Sequence, residues 1–301
     1  MRDLYQRVSK YWDEKLRFQV RMAWDILRAS FRAYSQHGCM NLAAALAFYT
    51  ILSLIPFLFL LVSATAFLLG SSEEAHRWAQ GLLESLFPRT GSLIFAEVRS
   101  ISQRAGVLGL IGILSMVWTA SVFFTSLEKA MMVVFRIEER RGFLRAKITA
   151  LAMVPAAGFI LFLSLLVSIL SEHLEKIEWV IGGTPLLPGG VLEFLLGYIL
   201  PYMILVFALT VVYKFVPNTE ISYRHAFAGG AACAFLFELA KHFFTWYVHR
   251  AQQYSIVYGS LEAIVILVLW SFYSSNILLF CAELVSEYRR RDIALLEKAF
   301  L

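Results

Sequence analysis

The sequence contains, at residues 43–69, the uncharged stretch AAALAFYTILSLIPFLFLLVSATAFLL. An α-helix rises about 1.5 Å per residue, so about 20 apolar residues cross the roughly 30 Å hydrocarbon core of a bilayer. This stretch is therefore long enough to span a membrane. The composition of the whole chain agrees, because 59% of the 301 residues are hydrophobic and only 16% are charged, unlike a soluble globular protein.

Five further stretches have a similar length and composition. They lie at 107–126, 148–170, 194–213, 226–248 and 263–282. The stretch at 226–248 differs from the others because it contains Glu238, Lys241 and His242 near its middle. No stretch alternates polar and apolar residues as a barrel strand does. We therefore predict an all-α integral membrane protein with six transmembrane helices.

Lys and Arg residues are distributed unevenly between the two sides of this topology. The side that holds both termini carries 20 of them, and the opposite side carries 7. Because cytoplasmic segments of membrane proteins are enriched in Lys and Arg, we expect both termini to be cytoplasmic. Residues 1–40 are then a cytoplasmic N-terminal segment, 41–285 the transmembrane domain, and 286–301 a cytoplasmic tail.

The N-terminal segment carries two stripes of residues at helical spacing between positions 16 and 34. One stripe is apolar and the other is basic. An amphipathic helix of this kind suits the cytoplasmic headgroup layer, where its arginines reach lipid phosphates, and packing on the bundle explains the pattern equally well. Two further short amphipathic helices are expected on the opposite side, within 71–101. The stripes consist of Leu16, Val20, Trp24, Leu27 and Phe31, and of Arg17, Arg21, Arg28 and Arg32.

Glu238 lies at the midpoint of the predicted fifth span, where an ionised side chain costs several kcal/mol unless it is paired. Lys241, three residues on, and His242, four residues on, can each pair with its carboxylate. A site that handles protons or ions explains this group, and so does a structural ion pair between helices. A Glu and a His four residues apart also form half of a metal site, but without further ligands we expect no metal and no cofactor.

The first, second and sixth predicted spans each carry a polar stripe as well. In the sixth, Tyr273 and Asn276 share a helical face with Glu283. Polar groups in a membrane are best satisfied by one another or by trapped water, so the stripes are expected to line one cavity, although direct helix–helix contacts give the same pattern. The predicted substrate or ion path comprises Glu238, Lys241, His242, Tyr273, Asn276, Tyr49, Ser53 and Thr119.

Motifs of soluble enzymes are missing from the sequence. It has no GxGxxG or GxxxxGK[ST] phosphate loop, no HExxH, no GxSxG and no paired Cys-x-x-Cys. A nuclease would need clustered carboxylates for metal ions and a basic cleft, whereas the acidic residues here are scattered. We therefore expect neither an enzymatic activity nor a nucleic-acid partner.

Several short motifs bear on family membership. They are NLAAALAFY at 41–49, SLIP at 53–56, YKFVPN at 213–218, Gly229 with Gly230, Glu238 with Lys241, Tyr258 with Gly259, Trp270 with Tyr273, and Ala282 with Glu283. Together they resemble the YihY/BrkB family of bacterial inner-membrane proteins over about residues 20–288. Cys281 departs from the pattern, since the family is expected to carry Gly there.

The resemblance implies a multi-pass protein of the bacterial inner membrane. Members of the family have been named as ribonuclease BN, a label regarded as mistaken, and as serum-resistance factors. Their biochemical activity is described as unknown or as transport. The resemblance thus bears on fold and location more than on mechanism.

We expect a transporter or flippase-like protein that moves a small or amphipathic, lipid-like molecule, with Glu238 and His242 handling protons or ions. The alternative is a non-catalytic scaffold in envelope biogenesis, whose polar stripes are internal contacts. Membrane lipids and an unidentified small or lipid-like substrate are the expected partners, and a homo-oligomer is compatible with both functions.

Overall fold

The computed structural model describes residues 2–68, 105–138, 142, 148–149, 151–156, 158–160, 180–181, 184–185, 194–251 and 262–300. This part of the chain is nearly all helical. Its long helices are α1 (Arg2–Gln36), α2 (Cys39–Leu68), α3 (Ala105–Val134), α4 (Leu200–Phe215), α5 (Tyr223–Ala251) and α6 (Glu262–Phe300). The short strands β1 (Val180–Ile181) and β2 (Thr184–Pro185) pair antiparallel, and a π-helical turn, Leu195–Ile199, precedes α4.

Four segments are long and apolar enough to cross a membrane. They are Val117–Val134, Gly197–Phe215, Tyr223–Val248 and Ile264–Lys298. A bent pair, Val20–Gln36 with Cys39–Leu54, adds a fifth candidate if its two halves form one span. The described residues therefore contain four or five candidate spans, which is the composition of a membrane protein.

Five of the six predicted spans coincide with described helices. The first lies in α2, the second in α3, and the last three in the π-turn with α4, in α5 and in α6. Of the third, 148–170, a shorter apolar helix at Leu151–Ile160 is described, while 161–170 lie outside the described residues, as does the predicted pair of helices within 71–101. Six spans and cytoplasmic termini therefore stay predictions.

Helix α6 is the central element of the bundle. It packs against α1, α2, α3 and α5, while α2 pairs with α3 and α4 pairs with α5. Tyr213 on α4 is completely buried, and its hydroxyl donates to the carbonyl oxygen of Leu278 on α6 at 2.9 Å. This bond satisfies a polar group that would otherwise be stranded in an apolar core.

Two adjacent glycines let α5 approach its neighbours closely. A Cβ atom at Gly229 would lie 2.0 Å from Cγ2 of Val285 on α6, and one at Gly230 would lie 2.6 Å from Oγ1 of Thr210 on α4. A larger residue at either position would force the helices apart. Small residues serve the same purpose at many helix contacts in membranes.

A sharp bend separates α1 from α2. Gly38 has a φ angle of 62°, the left-handed conformation that commonly ends a helix, and its amide donates to the carbonyl of Ser35 at 3.3 Å. The described halves of the pair meet at 71°. Helix α1, which includes the amphipathic segment predicted at 16–34, is thereby directed onto α6.

Candidate functional site

The predicted ionisable group lies on α5. The carboxylate of Glu238 forms an ion pair with Nζ of Lys241 at 2.7 Å, which confirms one of the two predicted pairings. His242 instead contacts the backbone carbonyl of Glu238 through Nδ1 at 2.8 Å. The side chains of Glu238 and Lys241 are 36% and 57% exposed, so this pair lies on the outer surface of the described bundle.

The other predicted path residues are tied mainly to their own helices. Ser53 donates to the carbonyl of Thr50, and the buried Thr119 donates to the carbonyl of Ser115 at 2.9 Å. Such bonds satisfy hydroxyl groups in apolar surroundings. Tyr49 packs edge-on against the ring of its neighbour Phe48.

Asn276 is the predicted residue that joins two elements. Its side-chain oxygen accepts a hydrogen bond from the hydroxyl of Tyr34 on α1, and its Nδ2 donates to the carbonyl of Phe272. Tyr273, next to it, is 43% exposed. The structure thus groups Glu238 with Lys241 and joins Asn276 to α1, while the convergence of four polar faces on one cavity stays a prediction.

A different polar group is found at the bend between α1 and α2. Glu283 on α6 is 0% exposed, and its Oε1 lies 2.6 Å from Nδ1 of His37 and 3.5 Å from Sγ of Cys39. We call His37, Cys39, Arg136, Glu283 and Glu287 the bend cluster. Its members come from the bend, the start of α2, the segment after α3, and α6, so it ties four parts of the chain together.

Arg136 completes the bend cluster from the end of α3. Its Nε donates to Nε2 of His37 at 3.3 Å, and its Nη2 donates to Oε1 of Glu287 at 3.1 Å. Its φ angle of 54° is uncommon for a residue with a side chain. Nearby, Ser286 donates to the carbonyl of Val134 at 3.0 Å and so satisfies one of the free carbonyls in the last turn of α3.

Sequence reasoning placed Glu283 on a polar face but did not identify its partners. His37 and Glu283 are 246 positions apart, and a helical wheel shows which face a residue occupies, not which helix it meets. Two local signals were present. Gly38 stands between His37 and Cys39 just before an apolar span, and Glu287 follows Glu283 by one helical turn.

Two cavities flank α1. The first, of about 810 Å³, combines arginine and apolar side chains, and we call it the arginine cavity. The second, of about 770 Å³, lies between α1, α5 and α6, and we call it the apolar groove. The arginine cavity is lined by Leu27, Arg28, Phe31, Arg32, Ser35, Gln36 and Phe280. The apolar groove is lined by Val20, Met22, Ala23, Trp24, Ile26, Leu27, Ala228, Gly229, Ala232, Leu284, Val285 and Tyr288.

The two cavities are adjacent, because Leu27 lines both of them. Arg28 also stacks over the ring of Trp24 at 5.0 Å from its centroid. Neither Arg28 nor Arg32 forms an ion pair with another described residue, whereas Arg291 on α6 pairs with Asp25 on α1 at 3.4 Å. The arginine cavity therefore offers two positive charges beside a long apolar surface.

The described residues also bear on the metal question. Among them, no group of three or more His, Cys, Asp or Glu side chains could hold a metal ion. The bend cluster holds a buried carboxylate by hydrogen bonds to His37 and Cys39.

Comparison with known proteins gives the family. A sequence profile of the family described as virulence factor BrkB matches residues 30–299. A UPF0761 membrane protein of Chromohalobacter salexigens is 32% identical over 88% of this chain and 64% of its own length, and one of Alcanivorax borkumensis is 30% identical over 84% of this chain and 58% of its own length.

The relatives differ in length and in the names they carry. A protein of Bacillus subtilis named as ribonuclease-like, YfkH, is 25% identical over 84% of this chain and 90% of its own length. The chain spans about three fifths of the two UPF0761 proteins, and no solved structure matches it. Since the profile covers nearly the whole chain and the helices are apolar enough to span a bilayer, this protein is a member of the BrkB family of membrane proteins.

Proposed function

We propose that this membrane protein moves an anionic, lipid-like amphipathic molecule between the leaflets of the bacterial cytoplasmic membrane. The observation that carries the proposal is the adjacency of the arginine cavity and the apolar groove beneath α1. An amphipathic molecule has a charged head and an apolar tail, and the two cavities offer a surface of each kind. Their shared wall at Leu27 allows one molecule to occupy both.

The two arginines would select the substrate. Moving an acyl chain from lipid into an apolar groove yields little free energy, because both surroundings are apolar. Arg28 and Arg32 are four residues apart on one helical face, where Cβ atoms lie about 5–6 Å apart. Two guanidinium groups at this spacing suit a phosphate, which each can bind through paired N–H donors.

The ion pair between Asp25 and Arg291 supports a location for this site. It places α1 and the C-terminal part of α6 at the same end of the bundle. The bias of 20 Lys and Arg residues against 7 assigns that end to the cytoplasm. The substrate would then enter from the cytoplasmic leaflet.

The predicted path residues on α5 continue the route. Ala232 lines the apolar groove, and Glu238 follows it by about 9 Å along the helix axis. In the proposed topology that direction leads away from the cytoplasm. The Glu238 and Lys241 pair would therefore meet the moving headgroup after Arg28 and Arg32.

Reconstitution tests this function directly. The purified chain is placed in liposomes that contain a trace of fluorescently labelled phosphatidylglycerol, and dithionite is added to bleach label in the outer leaflet. Movement between leaflets predicts loss of nearly all fluorescence, against about half in liposomes without protein. The double substitution Arg28→Gln and Arg32→Gln is expected to slow the movement at least about tenfold, since each lost charged hydrogen bond costs about 1.5–3 kcal/mol.

Arg21→Gln is the matched control. Arg21 lies on the same helix and lines neither cavity, so its loss is expected to leave the rate unchanged. No protein-dependent bleaching would overturn the proposal and favour the scaffold. The hydroxyls of Ser53 and Thr119, which donate to backbone carbonyls of the protein, fit such a scaffold.

The proposal assigns no reaction to the chain. The ribonuclease-like name belongs to the Bacillus subtilis relative. Incubating the purified chain with labelled RNA and divalent cations is expected to give no more cleavage than buffer, and cleavage that copurifies with the chain would contradict this point.

A further inference from the structure

We propose that Glu283 is a proton-binding site, that His37 delivers the proton to it, and that its uptake breaks the contact between His37 and Arg136 at the bend. The proposal stands on the geometry of the bend cluster. Only its last step, the link to the apolar groove, rests on the proposed function.

The hydrogen bonds fix the form of His37. A guanidinium group has donors and no acceptor, so Nε2 of His37 must offer a lone pair to Nε of Arg136. Nδ1 then carries the ring proton and donates a hydrogen bond to Oε1 of Glu283 at 2.6 Å. The imidazole is therefore neutral in this arrangement, and the carboxylate of Glu283 accepts its hydrogen bond.

Glu283 has room for one more proton. Its side chain is 0% exposed, and its second oxygen, Oε2, has no hydrogen-bond partner among the described residues. A buried carboxylate with one oxygen unsatisfied is expensive in an apolar interior, and a bound proton removes the charge. The charge of this buried, incompletely satisfied carboxylate is thus the observation that points to a ligand, and a proton on either oxygen removes it.

The step can be written so that every proton is accounted for. A hydronium ion gives a proton to Nε2 of His37 as Arg136 moves aside, and the Nδ1 proton passes to Oε1 of Glu283. His37 returns to a neutral ring with its proton on Nε2, and Glu283 becomes a neutral acid. The net change is one proton bound, and the side chain of His37 is 17% exposed, which gives it access to water.

The form of His37 that is protonated on Nε2 cannot keep its hydrogen bond with Arg136. With a proton on Nε2, His37 presents a donor to the Nε donor of Arg136, so this hydrogen bond is lost. Arg136 keeps Glu287, which Arg290 also contacts at 2.9 Å. One proton is therefore enough to break the hydrogen bond that joins the segment after α3 to the bend.

The other groups around Glu283 are Cys39 from α2, Arg136 from the segment after α3, and Glu287 from the next turn of α6. Cys39 donates a weak bond to Oε1, and the charge of Arg136 is shared with Glu287. Tyr34 on α1 bonds Asn276, two turns before Glu283. His37 is therefore the neighbour placed to transfer a proton.

The bend directs α1 onto α6, and α1 forms a wall of both cavities. Releasing Arg136 from His37 would let α1 shift relative to α6. If the chain moves lipid as proposed, a proton would open or close the apolar groove. The site is also distinct from Glu238, whose carboxylate is already paired with Lys241 and is partly exposed.

Infrared spectroscopy tests proton binding without any transport assay. The chain in liposomes is titrated with acid, and the stretching band of protonated carboxyl groups is recorded. We expect a band that Glu283→Gln removes, that Glu283→Asp moves to another frequency, and that Glu238→Gln leaves in place. The Asp variant retains the carboxyl group, so it is informative even where the Gln variant does not fold.

The proposal fails if the wild-type chain shows no such band, if the band survives Glu283→Gln, or if Glu238→Gln removes it.

Hydrogen exchange tests the bend at one fixed pH. Glu283→Gln mimics the protonated acid, so amides of residues 36–41 are expected to exchange about tenfold faster than in Glu238→Gln. Equal exchange in the two variants would overturn the link between proton and bend. Neither measurement follows lipid, so the outcomes of both are independent of the dithionite assay.

Discussion

Arg136 holds a left-handed backbone conformation that costs a residue with a side chain about 1–2 kcal/mol. The guanidinium group offsets this cost through its hydrogen bonds to His37 and Glu287. The backbone turn and the charge network thus depend on the same residue. Its position two residues after the end of α3 explains why a strained residue is tolerated there, since the chain must leave the helix at that point.

Replacing Arg136 changes both of these effects at once. Asn adopts the left-handed conformation more readily than Arg, so Arg136→Asn relieves backbone strain and removes both hydrogen bonds. We expect a net loss of about 1–3 kcal/mol in stability, since the charged groups of the bend cluster lose a partner. Thermal unfolding in detergent measures it. An Asn variant as stable as the wild type would contradict this expectation, because the two hydrogen bonds of Arg136 would then contribute no more than the strain that Asn relieves.

At this scale the sequence predicts local pairs and not distant ones. The Glu238 and Lys241 pair was predicted because residues three apart on a helix are neighbours. The contact of His37 with Glu283 could not be predicted, because it depends on how α1 folds back at Gly38. The arginine stripe was visible in the sequence, but the cavity that gives Arg28 and Arg32 a shared surface needs Phe280 of α6.

The contact between α5 and α6 shows how element packing depends on side-chain volume. Gly229 lies against Val285, and the missing side chain of the glycine is the space that the valine occupies. The same two residues line the apolar groove. The width of the groove is therefore set by the closeness of this contact.

Gly229→Ala is expected to destabilise the protein by about 1–3 kcal/mol, because the added methyl group overlaps Val285. Val285→Ala in the same chain should recover most of that loss. Gly197→Ala is the matched control, since nothing lies within 4 Å of a Cβ atom there. Thermal unfolding of the wild type, the two single variants and the double variant measures these losses in stability. Equal losses for Gly229→Ala and Gly197→Ala would show that the close contact does not exist.

Hydropathy predicted where α5 and α6 lie, but it did not predict where α6 ends. The predicted fifth span, 226–248, falls within α5, and the predicted start of the sixth, at 263, is one residue from the start of α6. The predicted sixth span ends at 282, because Glu283 ends the uncharged run without ending the helix, which continues to Phe300. Beyond its apolar part, α6 still contacts α1, as the ion pair between Arg291 and Asp25 shows.

On the scale of the whole molecule, α6 organises the bundle. Its contacts with the surrounding helices place the bend cluster, the arginine cavity and the apolar groove around one element. About 39 residues of helix extend roughly 58 Å, which exceeds the hydrocarbon core, so part of α6 must lie outside it. That part carries Arg289, Arg290 and Arg291, which lie on the cytoplasmic side in the proposed topology.

The orientation makes a direct prediction. Fusing alkaline phosphatase to the C-terminus is expected to give an inactive enzyme, because the fusion would stay in the cytoplasm, whereas a green fluorescent protein fusion should be bright. Replacing Arg289, Arg290 and Arg291 with Gln should weaken this bias, since cytoplasmic Lys and Arg residues set the orientation. High phosphatase activity of the unaltered C-terminal fusion would contradict the proposed topology.

We expect the surface beneath α1 to bind an anionic amphipathic molecule, and a cryo-electron microscopy structure in nanodiscs of anionic phospholipid would show the bound molecule itself. The map should contain density for one lipid, with its phosphate beside Arg28 and Arg32 and an acyl chain in the groove against Gly229 and Val285. The density should disappear in the Arg28→Gln and Arg32→Gln variant. A map in which side chains fill both cavities, or in which ordered lipid lies only elsewhere on the bundle, would rule this binding site out.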